Sequence, residues 1–167
     1  MSDATALGRK ALLLLTVREA ASASGVTGVD RAQLQRLVFI VQTEAALDVR
    51  SLIAPEPPYS FDTDYASPYS AEISRDLEDL TDLGWLSVWT TKIGSEGKFI
   101  RLWYSLKERG QKVLDNILLG HESYSRIAAL VRKYASVPTA SLKREMMRLS
   151  LDLPEDHPEG LRPIAQG

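Results

Sequence analysis

The chain contains no cysteine. That single absence removes disulfides, thiolate nucleophiles and cysteine-based zinc sites together, and it suits a reducing cytoplasm, the expected location. Histidine is nearly as scarce, with only His121 and His157 among 167 residues. His121 follows Gly120 at an expected helix start, where a solvated or capping role is the simpler reading. His157 stands beside Glu155 and Asp156 in a proline-interrupted tail, which offers no second shell to orient a ligand. No metal site is expected.

Long apolar runs are also missing. The strongest, Ala11 to Val17, is bounded by Arg9, Lys10, Arg18 and Glu19. It falls short of the roughly 20 residues that span a bilayer and lacks the cleavage pattern of a signal peptide. It is expected to be a buried helix, with no membrane partner. There is no phosphate-binding glycine loop, no HExxH and no G-x-S-x-G elbow. Gly94 and Gly97 flank an expected hairpin turn and do not lead into a helix, so they place no phosphate at a helix N-terminus. Asp62 and Asp64 share one face of a short expected strand. Without burial to separate their pKa values, they read as solvated carboxylates, not as an acid–base pair. No catalytic residue and no cofactor are expected, and the chain reads as a non-enzyme.

What remains is ordinary globular material, 44% hydrophobic and 25% charged. The length fits one domain over residues 1–150. Pro154, Pro158, Gly160 and Pro163 mark residues 151–167 as a flexible tail. The net charge of −2 conceals an asymmetry. Glu44 to Glu96 holds eleven acidic and three basic residues, and Lys98 to Ser150 holds eleven basic and four acidic ones. The first stretch repels nucleic acid and the second attracts it.

Periodicity orders the elements. Leu7, Ala11, Leu14, Leu15 and Arg18 recur at helical spacing until Gly25 and Gly28. Asp30 and Gln33 form a capping-box pattern before the stripe Leu34, Leu37, Val38, Val41 and Ala45. Pro55, Pro57 and Pro58 assign residues 48–58 to a loop, and Ser60 to Tyr65 reads as a short strand. A third helix begins near Pro68 and carries Ile73, Leu77, Leu80 and Leu83 up to Gly84. Alternation then predicts a hairpin. Leu86, Val88 and Thr90 point one way and Trp85, Ser87, Trp89 and Thr91 the other, with Ile100, Leu102, Tyr104 and Leu106 in the returning arm. Helices follow over Lys107 to Leu119, Tyr124 to Ala135 and Thr139 to Leu149. The fold class is mainly α with a small β-hairpin (α+β), and the order matches a winged helix with additional C-terminal helices.

Two segments carry a family resemblance. Pro68-Tyr69-Ser70-Ala71-Glu72-Ile73, continuing through Asp76-Leu77-Glu78-Asp79-Leu80 to Leu83-Gly84-Trp85-Leu86, resembles the "GPYS-x-E-L…DL-x-x-L-x-x-x-G-L-I" run of the YwgA-like winged-helix proteins. Leu34 to Gln42 is similar to the "LQKLVFLAQ" helix that precedes that run in the same group. Tyr104 to Gly110 resembles the "Y-x-L-T-x-x-G" exit from the wing in many winged-helix regulators, and Tyr134 with residues 137–142 resembles the family's closing helix. The sequence departs from the pattern at Ala66-Ser67, where the family has a tyrosine and a glycine. The resemblance spans about residues 30–145. It implies a winged-helix fold and a regulatory, toxin–antitoxin or defence setting, and it transfers no catalytic residue.

Two partner classes follow. The helix Ser70 to Leu83 stands where a winged helix carries its recognition helix, yet it bears Glu72, Asp76, Glu78, Asp79 and Asp82 against Arg75 alone. Phosphate binding depends on basic contacts, so major-groove docking by this helix is disfavoured. A DNA-binding regulator or antitoxin-like repressor would instead use Lys92, Lys98 and Arg101 of the wing with Arg132, Lys133, Lys143 and Arg144 of the later helices. The main expectation is a regulator or adaptor acting through protein–protein contacts. A turn centred near residues 95 and 96 puts Trp89, Trp103 and Arg101 on one face, and these residue types dominate interface hot spots. Glu72, Asp76 and Asp79 would then offer a second face to a basic protein surface. The extra C-terminal helices are compatible with a homodimer.

Overall fold

The apolar run near the start becomes the middle of helix α1 (Arg9–Ser24), where every side chain from Ala11 to Val17 is buried. A helix apolar on all sides must be surrounded. In the computed structural model, which describes residues 7–63, 67–97, 99–119 and 124–151, α1 is packed by the second to the sixth helices and by the sheet. Its first turn has no cap of its own. Gly8, at φ +54°, instead lets the Glu56 side chain approach, and Glu56 Oε1 accepts from the Arg9 amide at 2.7 Å. A Cβ on Gly8 would fall on that carboxylate. The borrowed anion satisfies an orphan helix donor and complements the positive end of the helix dipole.

Strand β1 (Val29–Asp30) leads into α2 (Arg31–Glu44), and the Asp30 side chain accepts from the Gln33 amide at 2.9 Å, the cap expected from the sequence. The expected loop over 48–58 is corrected in its first half. After a non-helical Ala45, helix α3 (Ala46–Ile53) forms and buries Val49, Leu52 and Ile53. The prolines at 55, 57 and 58 end this helix but do not reach back into it. Two glutamines of α2 hold the segment that follows. Gln42 accepts from the Tyr59 amide and donates to its carbonyl, at 2.8 and 3.1 Å. Gln35 does the same at Ser70, at 2.8 and 2.9 Å. Each side chain thus acts as a strand neighbour for backbone groups that would otherwise be buried unpaired.

The short strand expected at 60–65 is reduced to an isolated antiparallel bridge between Asp62 and Tyr69, and Asp64 and Tyr65 lie outside the described residues. Ser70 caps α4 (Ala71–Asp82) by accepting from the Ile73 amide, and Ile73, Leu77 and Leu80 are buried beneath it. The hairpin follows as β2 (Leu86–Ile93) and β3 (Phe99–Leu106), in a register that sets Trp89 directly opposite Trp103. The sheet has a third member, because β1 pairs antiparallel with β3 through Val29↔Tyr104 and Asp30↔Trp103. The strand order is β1-β3-β2.

Helices α5 (Glu108–Leu118), α6 (Tyr124–Ala135) and α7 (Thr139–Leu151) complete the chain. They share the core and are not appended to its outside. Leu114, Ile127, Val131, Leu142 and Met146 belong to the same buried cluster as Leu14, Leu37, Ile73 and Leu86. Among the described residues the architecture is mixed α+β, with seven helices and one three-stranded antiparallel sheet. No helix among them is long and apolar enough to cross a membrane. Both histidines and residues 152–167, most of the expected tail, lie outside the described residues.

Candidate interaction surface

Alternation along the hairpin separates two faces. Leu86, Tyr104 and Leu106 face the helices, and Leu86 and Tyr104 are buried in the core. Ser87, Trp89, Thr91, Arg101, Trp103 and Ser105 occupy the opposite face. Neither indole on that face belongs to the core cluster or packs against it, whereas Trp85 does. Both are half-buried. The Trp89 ring reaches Gly28, which precedes β1. A Cβ there would stand 2.4 Å from Cη2 of Trp89 and 2.9 Å from the Tyr104 carbonyl oxygen. Trp103 donates from Nε1 to Thr91 Oγ1 at 2.8 Å, across the strand pair. The Arg101 guanidinium lies over the Trp103 ring, 5.9 Å from its centroid.

The structure therefore brings Trp89, Arg101 and Trp103 together, as the sequence expected. A further cation stands close by. Burial holds the Arg36 guanidinium below its usual pKa, Asp30 opposes that shift and Arg101 adds to it. Farther along the hairpin the surface changes character. Phe99 and Ile100 are 65% and 64% exposed, Lys92 is exposed, and Lys98 lies outside the described residues.

The acidic residues of α4 divide into two sets. Glu72 and Asp76 turn toward α1. Glu72 accepts from the Ser60 amide at 2.8 Å and pairs with Arg9 at 2.7 Å. Burial alone would raise its carboxyl, but the Ser60 amide and the Arg9 charge outweigh that effect and hold it below the ordinary range. Asp76, 8% exposed, accepts from the Tyr59 hydroxyl at 2.7 Å and lies 3.7 Å from Lys10. Burial first, and Asp76 second, push the Tyr59 hydroxyl far above its usual pKa. The Arg9 guanidinium covers the Tyr59 ring at 4.9 Å. Glu78, Asp79 and Asp82 face solvent, with Asp79 3.6 Å from Lys10.

The C-terminal cations are equally unlike one another. Arg132 Nε donates to Glu19 Oε1 at 2.5 Å, and Glu19 on α1 is only 3% exposed. Arg132 thus neutralises a buried carboxylate that Arg18 reaches from the other side. Lys133 lies over the Tyr134 ring at 5.0 Å, and Arg144 donates to Ser141 at 3.0 Å. Lys143 is exposed. Arg126 sits 3.6 Å from Asp48 and Arg148 3.7 Å from Glu44.

Sequence reasoning missed β1, the approach of Trp89 to Gly28 and the network of Glu56, Tyr59, Arg9 and Glu72. A two-residue strand is too short to show periodicity. The ion pairs join positions dozens of residues apart, which no local window contains. No protein-family model matches the chain, and no curated protein matches it in sequence.

Proposed function

We infer that this chain is a non-catalytic binding module, a winged-helix regulator or adaptor that docks a protein partner on the outer face of its hairpin. The observation carrying this reading is the pairing of Trp89 with Trp103 on a sheet face that belongs to no core, with Arg101 over one indole. Aromatic and arginine anchors at the centre of a patch supply most of the energy of typical interfaces. The element order and the β1-β3-β2 sheet support the winged-helix assignment, as does the resemblance of residues 30–145 to the YwgA-like proteins.

Two features favour protein over duplex DNA. The exposed charges of α4 are Glu78, Asp79 and Asp82 against Arg75, which a phosphate backbone repels. Among the cations proposed for phosphate contact, Arg132 is committed to Glu19. The test is affinity capture with the full chain from its native host. Partners should be retained by the wild type and by Lys143→Ala, and released by Trp89→Ala with Trp103→Ala. A capture profile unchanged by the double substitution overturns the docking face.

A further inference from the structure

Two arginines stand within reach of each other's charge beside the indole pair, Arg36 in the second turn of α2 and Arg101 on β3. The register explains their approach. Asp30 lies opposite Trp103, so α2 leaves the sheet there and packs against β3. Arg36 is half-buried, and its Nε donates to Ser67 Oγ at 3.5 Å. Its two terminal nitrogens bond to nothing among the described residues, and neither is shut away from solvent. Arg101 is exposed and lies over the Trp103 ring, with no hydrogen bond or ion pair among the described residues. Desolvating one cation beside another is unfavourable, and a chain ordinarily sets a carboxylate against it, as Glu72 meets Arg9. Here that carboxylate is missing. Asp30 supports Arg36 from nearby but makes no ion pair with it, and its side chain accepts from the Gln33 amide at 2.9 Å.

We propose that the partner of the hairpin face is an acidic peptide segment, with an Asp or Glu carboxylate clamped between Arg36 and Arg101 and a neighbouring apolar side chain on the Trp89–Trp103 pair. This rests on the docking reading above and names the chemistry of what docks.

Charge selects a carboxylate over a phosphate. Arg36 and Arg101 are two cations and Asp30 offsets one of them, which leaves a single positive charge for the ligand. A carboxylate matches that charge, and its two oxygens match the donor fork of a guanidinium. A phosphate monoester carries nearly two negative charges at neutral pH and would meet Asp30 with the excess. Arg31 leaves this sum unchanged, because its charge falls on Tyr104, which faces the helices on the other side of the sheet. The indoles keep water from one flank of the clamp, where a charged hydrogen bond gains strength as the local dielectric falls.

The test screens a random-peptide display library against the full chain. Enriched peptides should share an Asp or Glu next to an apolar residue. In a synthetic copy of the leading peptide, replacing that acid by its amide should weaken binding about tenfold, the scale of a charge-assisted hydrogen bond. Against Arg36→Met with Arg101→Met, which keeps apolar stems in place, the same replacement should change little. The amide peptide should bind that variant and the wild type alike, which shows that the face itself is intact. Arg101→Met alone, at an exposed position, should already weaken the acidic peptide several-fold. An acid dependence indifferent to these substitutions overturns the clamp. Peptides enriched without an acid, yet released by Trp89→Ala with Trp103→Ala, overturn it and leave the docking reading standing. A library that yields no binder overturns both. Tighter binding of a phosphoserine version of the peptide, or of a single-stranded oligonucleotide, overturns the choice of a carboxylate.

Discussion

Trp89 occupies the space that a side chain at position 28 would need. Its indole reaches across the sheet to Gly28, and the Tyr104 carbonyl closes the same space from the backbone side. Gly28→Ala must displace the ring or the strand, and overpacking of this kind costs about 1–3 kcal/mol. The expected outcome in chemical denaturation is a lower midpoint, with altered tryptophan fluorescence. Trp89→Ala should relieve part of the loss, so the double variant should fall short of the sum of the two singles. Strict additivity would mean that the ring and the glycine do not interact.

Stability should respond to pH at both extremes through one cluster. The Glu72 carboxyl is held below its ordinary range in the folded chain. Its contribution is therefore present above the ordinary carboxylate pKa and lost as pH falls through the lowered value. The Tyr59 hydroxyl is raised, so its contribution is intact below the ordinary tyrosine pKa of about 10 and drains away as pH climbs beyond it. Glu72→Gln should flatten the acid limb of a stability–pH curve, and Tyr59→Phe the alkaline limb. Curves parallel to the wild type would show that neither group titrates with folding.

Arg132 and Lys143 lie on neighbouring helices and carry the same charge, yet they should behave differently. Arg132→Ala strips a partner from the buried Glu19 and should cost about 1–2 kcal/mol, as losing a charged hydrogen bond on a partly exposed partner does. Lys143→Ala should leave thermal unfolding within a few tenths of a kcal/mol of the wild type, the usual range for an exposed position. Equal effects would contradict the placement of Arg132 over Glu19.

A DNA-binding role is separated by salt. Phosphate contacts release counterions, so binding through the wing would weaken steeply as ionic strength rises. The protein-docking reading expects no duplex shift in a gel at low salt. A salt-sensitive shift abolished by Lys92→Glu with Arg101→Glu would replace that reading with wing-led DNA binding.

The helices were legible in the sequence wherever a stripe of apolar residues ran long enough to declare a period. Leu34 to Val41 and Ile73 to Leu80 are such stripes, and Asp30 starts its helix as its chemistry requires, whereas the third helix starts from Ser70 and not near Pro68, where the sequence placed it. The hairpin face was legible too, because strict alternation and a short turn fix which residues stand opposite each other. Helix α3 was hidden by the prolines that follow it, whose influence extends only to the residue before each ring. The roles of Gln35 and Gln42 were hidden for a different reason. A glutamine gripping a distant backbone looks the same in a sequence as one facing water. Glu72 and Asp76 looked like a face for a basic protein surface until the start of α1 and the loop at Tyr59 were placed against them.

The brevity of β1 has a consequence for how this molecule can change over time. Only Val29 and Asp30 tie the hairpin to the remainder of the sheet, and they do so at Trp103 and Tyr104, near its base. Phe99 and Ile100 lie beyond that tie and contribute nothing to the buried core. Substitutions at this end should leave the melting temperature almost untouched. On the docking reading, selection could therefore redraw specificity there without renegotiating the fold.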